Sequence, residues 1–201
     1  MMASEIEIVN RALIKLGEKT ILSLDDDKKS ARTMKALYAP TRDYVTRNHP
    51  WNFAIKRIEL ARNTADPVFG YQYSYKLPSD CLRVLIPNRE IWVYGIEGRN
   101  MNTDYGDAFI KYIARISDPN MFGESFQESL ACKLAAEGCV SLTDNDARHK
   151  AMVQLYNLSI MEARSVNAME AGPKWIESEE WLDSRRVGVA GTTGIHRGQP
   201  L

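Results

Sequence analysis

The chain has 201 residues, of which 44% are hydrophobic and 26% charged, with 26 basic residues set against 26 acidic ones. That length and composition fit a folded domain with a proper core and exclude wholesale disorder, while no apolar run approaches the ~20 residues a membrane helix needs. A net charge of zero disfavours tight nucleic-acid binding, which draws its affinity from a surplus of Lys and Arg, though it leaves room for a locally basic face.

The opening residues lack the basic-then-apolar order of an export signal. Cys81, Cys132 and Cys139 are odd in number and without CxxC spacing, so a disulfide framework and a zinc site are both disfavoured. These features predict a cytosolic product with reduced, buried thiols.

Ser4, with Glu7 three residues on, predicts a capping box. Ile6, Val9, Leu13 and Leu16 follow at helical spacing, and Gly17 ends the pattern, giving a helix over 5–16. After TILSLDDD, the carboxylates of Asp25, Asp26 and Asp27 are expected at the mouth of a second helix over 27–47, where they favour the positive end of its dipole. Ala31, Met34, Tyr38, Thr41 and Val45 make its buried stripe; Pro40 is expected to kink or split it near Ala39. Pro50 disfavours a helical His49.

Beyond Pro50 the pattern changes. FAIKRIELA, YQYSYKLP, CLRVLIP, EIWVYGI and DAFIKYIARI are short, rich in Tyr, Val, Ile and Phe, and separated by Gly, Pro, Asn and Asp, which predicts a small antiparallel β portion over about 51–116. Pro50, Trp51 and Phe53 then form a structural junction, two large aromatics filling the gap between a helical layer and a β layer.

Helix returns over 121–142, where Phe126, Leu130 and Leu134 alternate with Ala131, Ala135 and Gly138, small residues that allow a close partner. Thr143 and Asp144 are expected to close this helix and cap the next, over 145–171. In that last helix Met152, Leu155, Tyr156, Ser159, Ala163 and Val166 form one stripe, with Val153, Leu158, Ile160 and Met161 off it. A helix apolar on more than one face is expected to contact something on each. The fold class is therefore mainly α with a β insertion (α+β), helical hairpins flanking the β portion, in a domain over 1–171. Residues 172–201 read as an extended arm in which Trp175 and Trp181 are interface anchors.

Candidate chemistry is sparse. The Asp25–Asp27 run lacks the spacing of a calcium loop, and Asp144 with Asp146 is helix-start chemistry. His49, His149 and His196 have no helical i, i+4 partner of the kind a zinc site uses. A nucleophile pair between Cys132 or Cys139 and His149 competes with the commoner buried thiol. Glu124 and Glu128 share a helical face and could form a carboxylate pair acting on a glycosidic bond, against the default of a solvated face. Gly188, Gly191 and Gly194 lack the flanking strand and helix of a phosphate loop. No catalytic residue, cofactor or metal is predicted.

Taken together, ALIKLGEKTILSLDDDKKSAR, LYAPTRDYVTRNHPWNFAIKR, FGYQYSYKLPSDCLRVL and YIARISDPNMFGESFQESLACKLAAE resemble the tail tubular protein A family, the head-to-tail adaptors of short-tailed bacteriophages and related prophages. The resemblance covers about Ile6 to Ala171, and PWNF with its upstream YxPxRD is its most specific piece. It implies a virion structural protein, made in the host cytoplasm and located at the head-tail junction, and no enzyme. The implied assembly is a homo-oligomeric ring, a dodecamer, between the portal protein and the tail nozzle protein, with double-stranded genome DNA passing through without sequence-specific binding and no membrane involved. By position, the arm would grip the portal through Trp175, Ile176, Trp181, Leu182, Arg185 and Arg186. Two other functions compete: a virion-associated cell-wall glycoside hydrolase using Glu124 and Glu128, and a small host-side helical binding module.

Overall fold

The computed structural model describes residues 4–87 and 93–170. The predicted contact residues of the arm, Trp175 to Arg186, lie outside the described residues, as do His196 and the three tail glycines. Among these residues four α-helices and six strands follow one another as α1 (Glu5–Leu16), α2 (Lys29–Arg47), β1 (Ile55–Glu59), β2 (Tyr73–Lys76), β3 (Cys81–Pro87), β4 (Tyr94–Glu97), β5 (Asn100–Thr103), β6 (Phe109–Ala114), α3 (Glu124–Thr143) and α4 (Asp146–Glu170). The fold is α+β, with the β insertion between two pairs of helices.

Local chemistry sets the helix ends. Ser4 Oγ accepts from Glu7 N–H at 3.1 Å, the N-terminal half of the expected capping box. Gly17 closes α1 in the left-handed region at φ +71°, its N–H returning to Ile14 O. Gly17→Ala is expected to cost about 1 kcal/mol in a denaturant titration, because a Cβ is strained at that φ. Ile8, rather than the predicted Ile6, joins Val9, Leu13 and Leu16 in the core.

Helix α2 departs from expectation twice. It begins at Lys29, so none of the three aspartates lies in its first turn. Instead they reach forward as ion-pair partners, Asp25 to Lys35 at 2.6 Å, Asp26 to Lys28 at 3.4 Å and Asp27 to Arg32 at 3.1 Å. Pro40 does not split the helix, which runs unbroken to Arg47. Ala36 and Pro40 are both exposed, so the carbonyl left without its usual donor faces water, where its loss costs least. The predicted stripe from Ala31 to Val45 is buried as expected.

Helix α3 lies at the centre of the helical layer, packing on α1, α2 and α4. Eleven of its residues are buried, from Phe126 to Cys139, so it is enclosed on nearly all sides rather than amphipathic. The two helices of the first pair meet chiefly through it. Gly138 explains part of the closeness: a Cβ there would stand 2.8 Å from Met34 Cε. Helix α3 ends with Asp144 in the left-handed region, φ 47°, and the next cap is Asn145 rather than Asp144: Asn145 Oδ1 accepts from Arg148 N–H at 2.9 Å.

The β insertion is two antiparallel three-stranded sheets, ordered β1-β6-β3 and β2-β5-β4. Strand β6 is the hinge between cores. Ile113 belongs to the helical core, while its neighbours Tyr112 and Ala114 face a second core with Tyr75 and Met101; alternation along a strand sends successive side chains to opposite faces. Tyr112 is buried there with its hydroxyl against Asp80, and burial together with that carboxylate pushes its pKa up to about 12. Strand β5, NMNT, is not among the predicted strands: two of its four residues are asparagines, so it carries no apolar alternation even though Asn102 is buried.

Candidate functional site

The predicted junction is built around one tryptophan. Pro50 keeps the chain extended after α2, and Trp51 swings inward until 1% of it is exposed. Its Nε1–H donates to Val45 O at 3.1 Å, so the indole is buried without an orphan donor. The ring meets Phe126 edge-on at 4.9 Å and lies stacked with Phe53 at 6.2 Å; Phe53 in turn contacts Phe122 at 5.3 Å. Trp51 and Phe53 thus join the end of α2 to the first turns of α3, a packing of helix on helix where the sequence suggests a filling between a helical layer and a β layer.

What the sequence does not reveal is Asn167, in the last turns of α4. Its Oδ1 accepts from Asn52 N–H, and its backbone oxygen accepts from Asn52 Nδ2, both at 2.9 Å. Those bonds fix the amide's orientation, leaving Nδ2 to donate toward His49 Nε2 at 3.1 Å. His49 must then carry its proton on Nδ1 and accept at Nε2. Burial, reinforced by the cations of Arg164 and Arg83, holds the His49 pKa below the ordinary histidine value. Since the unfolded state binds the proton first, stability is full above about pH 6.5 and declines as pH falls through that value. An NMR titration of His49 is expected to give a midpoint below that of a free histidine.

Beside this clamp lies an open groove of about 680 Å3. Phe53, Met121 and Val166 supply its apolar surface, and Glu124, Glu128, Glu162 and Glu170 its acidic edge. Glu124 is paired with Arg11 at 2.8 Å and Glu128 with Lys15 at 2.5 Å, so both predicted candidate acids tie α3 to α1. Asn167→Ala is expected to cost about 1 kcal/mol in a urea titration, because the Asn52 N–H and His49 Nε2 lose their side-chain partner while Asn52 Nδ2 keeps the backbone oxygen.

The remaining candidates do not converge. His149 Nδ1 lies 3.0 Å from Ala136 O, while Cys139 Sγ lies 3.3 Å from Thr143 Oγ1. Burial raises the pKa of Cys81 and Cys132, the opposite of what an activated thiolate requires. All three cysteines are buried and free. Among the described residues no cluster of three or more His, Cys, Asp or Glu could hold a metal ion, and no helix is long and apolar enough to cross a membrane.

One surface stands out. The core side of α4 is formed by Ile160, Ala163 and Asn167; Ile160 is buried where the sequence puts it off the stripe, and Val166 is 37% exposed where the sequence puts it on. The rest of the predicted stripe lies on the core side, with Met152 and Tyr156 packed against the core and Ala163 buried. On the outer side Leu158 is 68% exposed, Met161 67% and Met169 77%. Leu158 and Met161 belong to a continuous exposed row, Ala147, Ala151, Gln154, Leu158, Met161, Ser165 and Ala168, spaced alternately four and three residues apart, the period of a helix-to-helix seam. No protein-family model matches the chain, and no curated protein matches it.

Proposed function

We propose that this chain is a structural subunit of a virion, a head-to-tail adaptor of the tail tubular protein A type. It assembles as a homo-oligomeric ring, a dodecamer, between portal and tail nozzle, and genome DNA passes through the centre. The observation that carries this reading is the outer row on α4: Ala147, Ala151, Ser165 and Ala168 share it with Leu158 and Met161, leaving apolar surface on the side of the helix opposite the core, as lateral packing of copies requires. Two other features support it. The loop after β1 ends in Val68 and Phe69, 98% and 87% exposed, an apolar tip suited to contact with a nozzle protein. The chemistry of the described residues is that of packing, with the candidate carboxylates engaged as ties between helices.

The test is a mass measurement of the purified protein alone and mixed with portal, repeated after deletion of Trp175 to Leu201. Ring-sized complexes that form with portal and fail to form without the arm are the expected result. Persistent monomers that ignore the portal would overturn the reading.

A further inference from the structure

A formal charge of zero hides a local imbalance. Three arginines from three separate elements, Arg47 at the end of α2, Arg83 in β3 and Arg99 in the β4–β5 turn, line one cavity of about 310 Å3. Gly98, at φ 60° with open space where a Cβ would stand, makes that turn tight and leaves the cavity edge clear. Arg99 is held by the carbonyls of Pro78 and Cys81, which fixes one guanidinium with donors to spare.

No carboxylate occurs among the described lining residues. The nearby acids are engaged elsewhere: Asp43 by Arg42 and Arg115, Asp80 by Lys56 and Tyr112, Glu97 by Asn102. Among the described residues Arg47 and Arg83 have no ion-pair partner. The remaining wall is apolar, with Leu82, Tyr94 and Ile96 prominent. The volume lies at the lower end of the range for specific ligand sites, and the wall sets a few polar groups beside apolar side chains.

We propose that this cavity binds an acidic segment of a partner polypeptide, one that sets an apolar side chain beside Asp or Glu. Guanidinium forks match carboxylates two bonds at a time, and the apolar wall takes the neighbouring side chain. A duplex backbone fits the shape less well: it needs an open basic track with many cations, not an apolar-walled recess. The site is separate from the outer row of α4 and does not depend on the adaptor reading.

The experiment uses the full chain and a fluorescein-labelled peptide, Glu-Glu-Leu-Glu-Glu, followed by anisotropy. Saturable binding is expected, lost when Gln replaces every Glu; equal binding of the Gln peptide would overturn the proposal. Arg47→Gln combined with Arg83→Gln is expected to weaken binding about tenfold or more. Arg32→Gln, at a side chain 71% exposed on the first turn of α2, is expected to leave it unchanged, and an equal loss there would reduce the effect to diffuse attraction and overturn the site. Ile96→Gln, at a wall residue 45% exposed and so safe for folding, covers the case in which the double variant does not fold. It is expected to weaken binding, and full binding by Ile96→Gln would overturn the proposal. So would displacement of the peptide by duplex DNA at lower concentration than by unlabelled peptide.

Discussion

Trp51→Ala is expected to lower the unfolding free energy by about 3–5 kcal/mol, read as a fall in the denaturant midpoint at unchanged slope. Three losses combine at that position. The indole is almost wholly buried, its edge contact with Phe126 disappears, and Val45 O loses the N–H that satisfies it. The resulting space would be large and lined by Phe53, Phe126 and the end of α2, elements that other contacts hold apart, so collapse would recover little. Trp51→Phe separates the parts: it keeps most of the volume and removes the donor, and is expected to cost about 1–2 kcal/mol. A loss below about 1 kcal/mol for the alanine variant would mean that the junction does not tie the helical layer together.

Leu158→Glu with Met161→Glu is expected to abolish ring formation on the portal while leaving the subunit folded. Both side chains are about two-thirds exposed, and substitutions at such positions usually shift stability by no more than about 0.5 kcal/mol. In a closed ring, however, each copy would bury two carboxylates in the lateral contact, and repetition around the circle multiplies the penalty. Circular dichroism and thermal melting should match the parent chain, whereas electron microscopy of the portal mixture should show no rings. Rings formed by the double variant would assign lateral packing to another face.

Much of the helical layer is legible in the sequence because its signals are local. The boundary of α1 follows from Ser4 and Gly17, and the stripe of α2 from spacing alone. Strand β5 is illegible for the converse reason: two of its four residues are asparagines, Asn102 buried all the same, and Met101 and Thr103 are too few to establish a period. Pro40 misleads because its effect depends on whether the freed carbonyl meets water, which only the fold decides. Asn167 is the clearest case. Its partners lie 115 and 118 positions away, and an asparagine in a polar stretch of helix carries no mark of that tie. The stripe of α4 is legible from Met152 to Ala163 and slips only at Ile160, which is buried, and at Val166, whose place near the helix end is taken by Asn167.

The tie between Asn167 and the segment from His49 to Asn52 has a mechanical consequence. Any pull transmitted along the backbone from beyond Glu170 arrives at a helix end already fastened to the loop before β1, so tension enters the body at two points instead of unwinding α4 turn by turn. The two bonds to Asn52 would share that load, and the end of α4 would behave as a riveted joint.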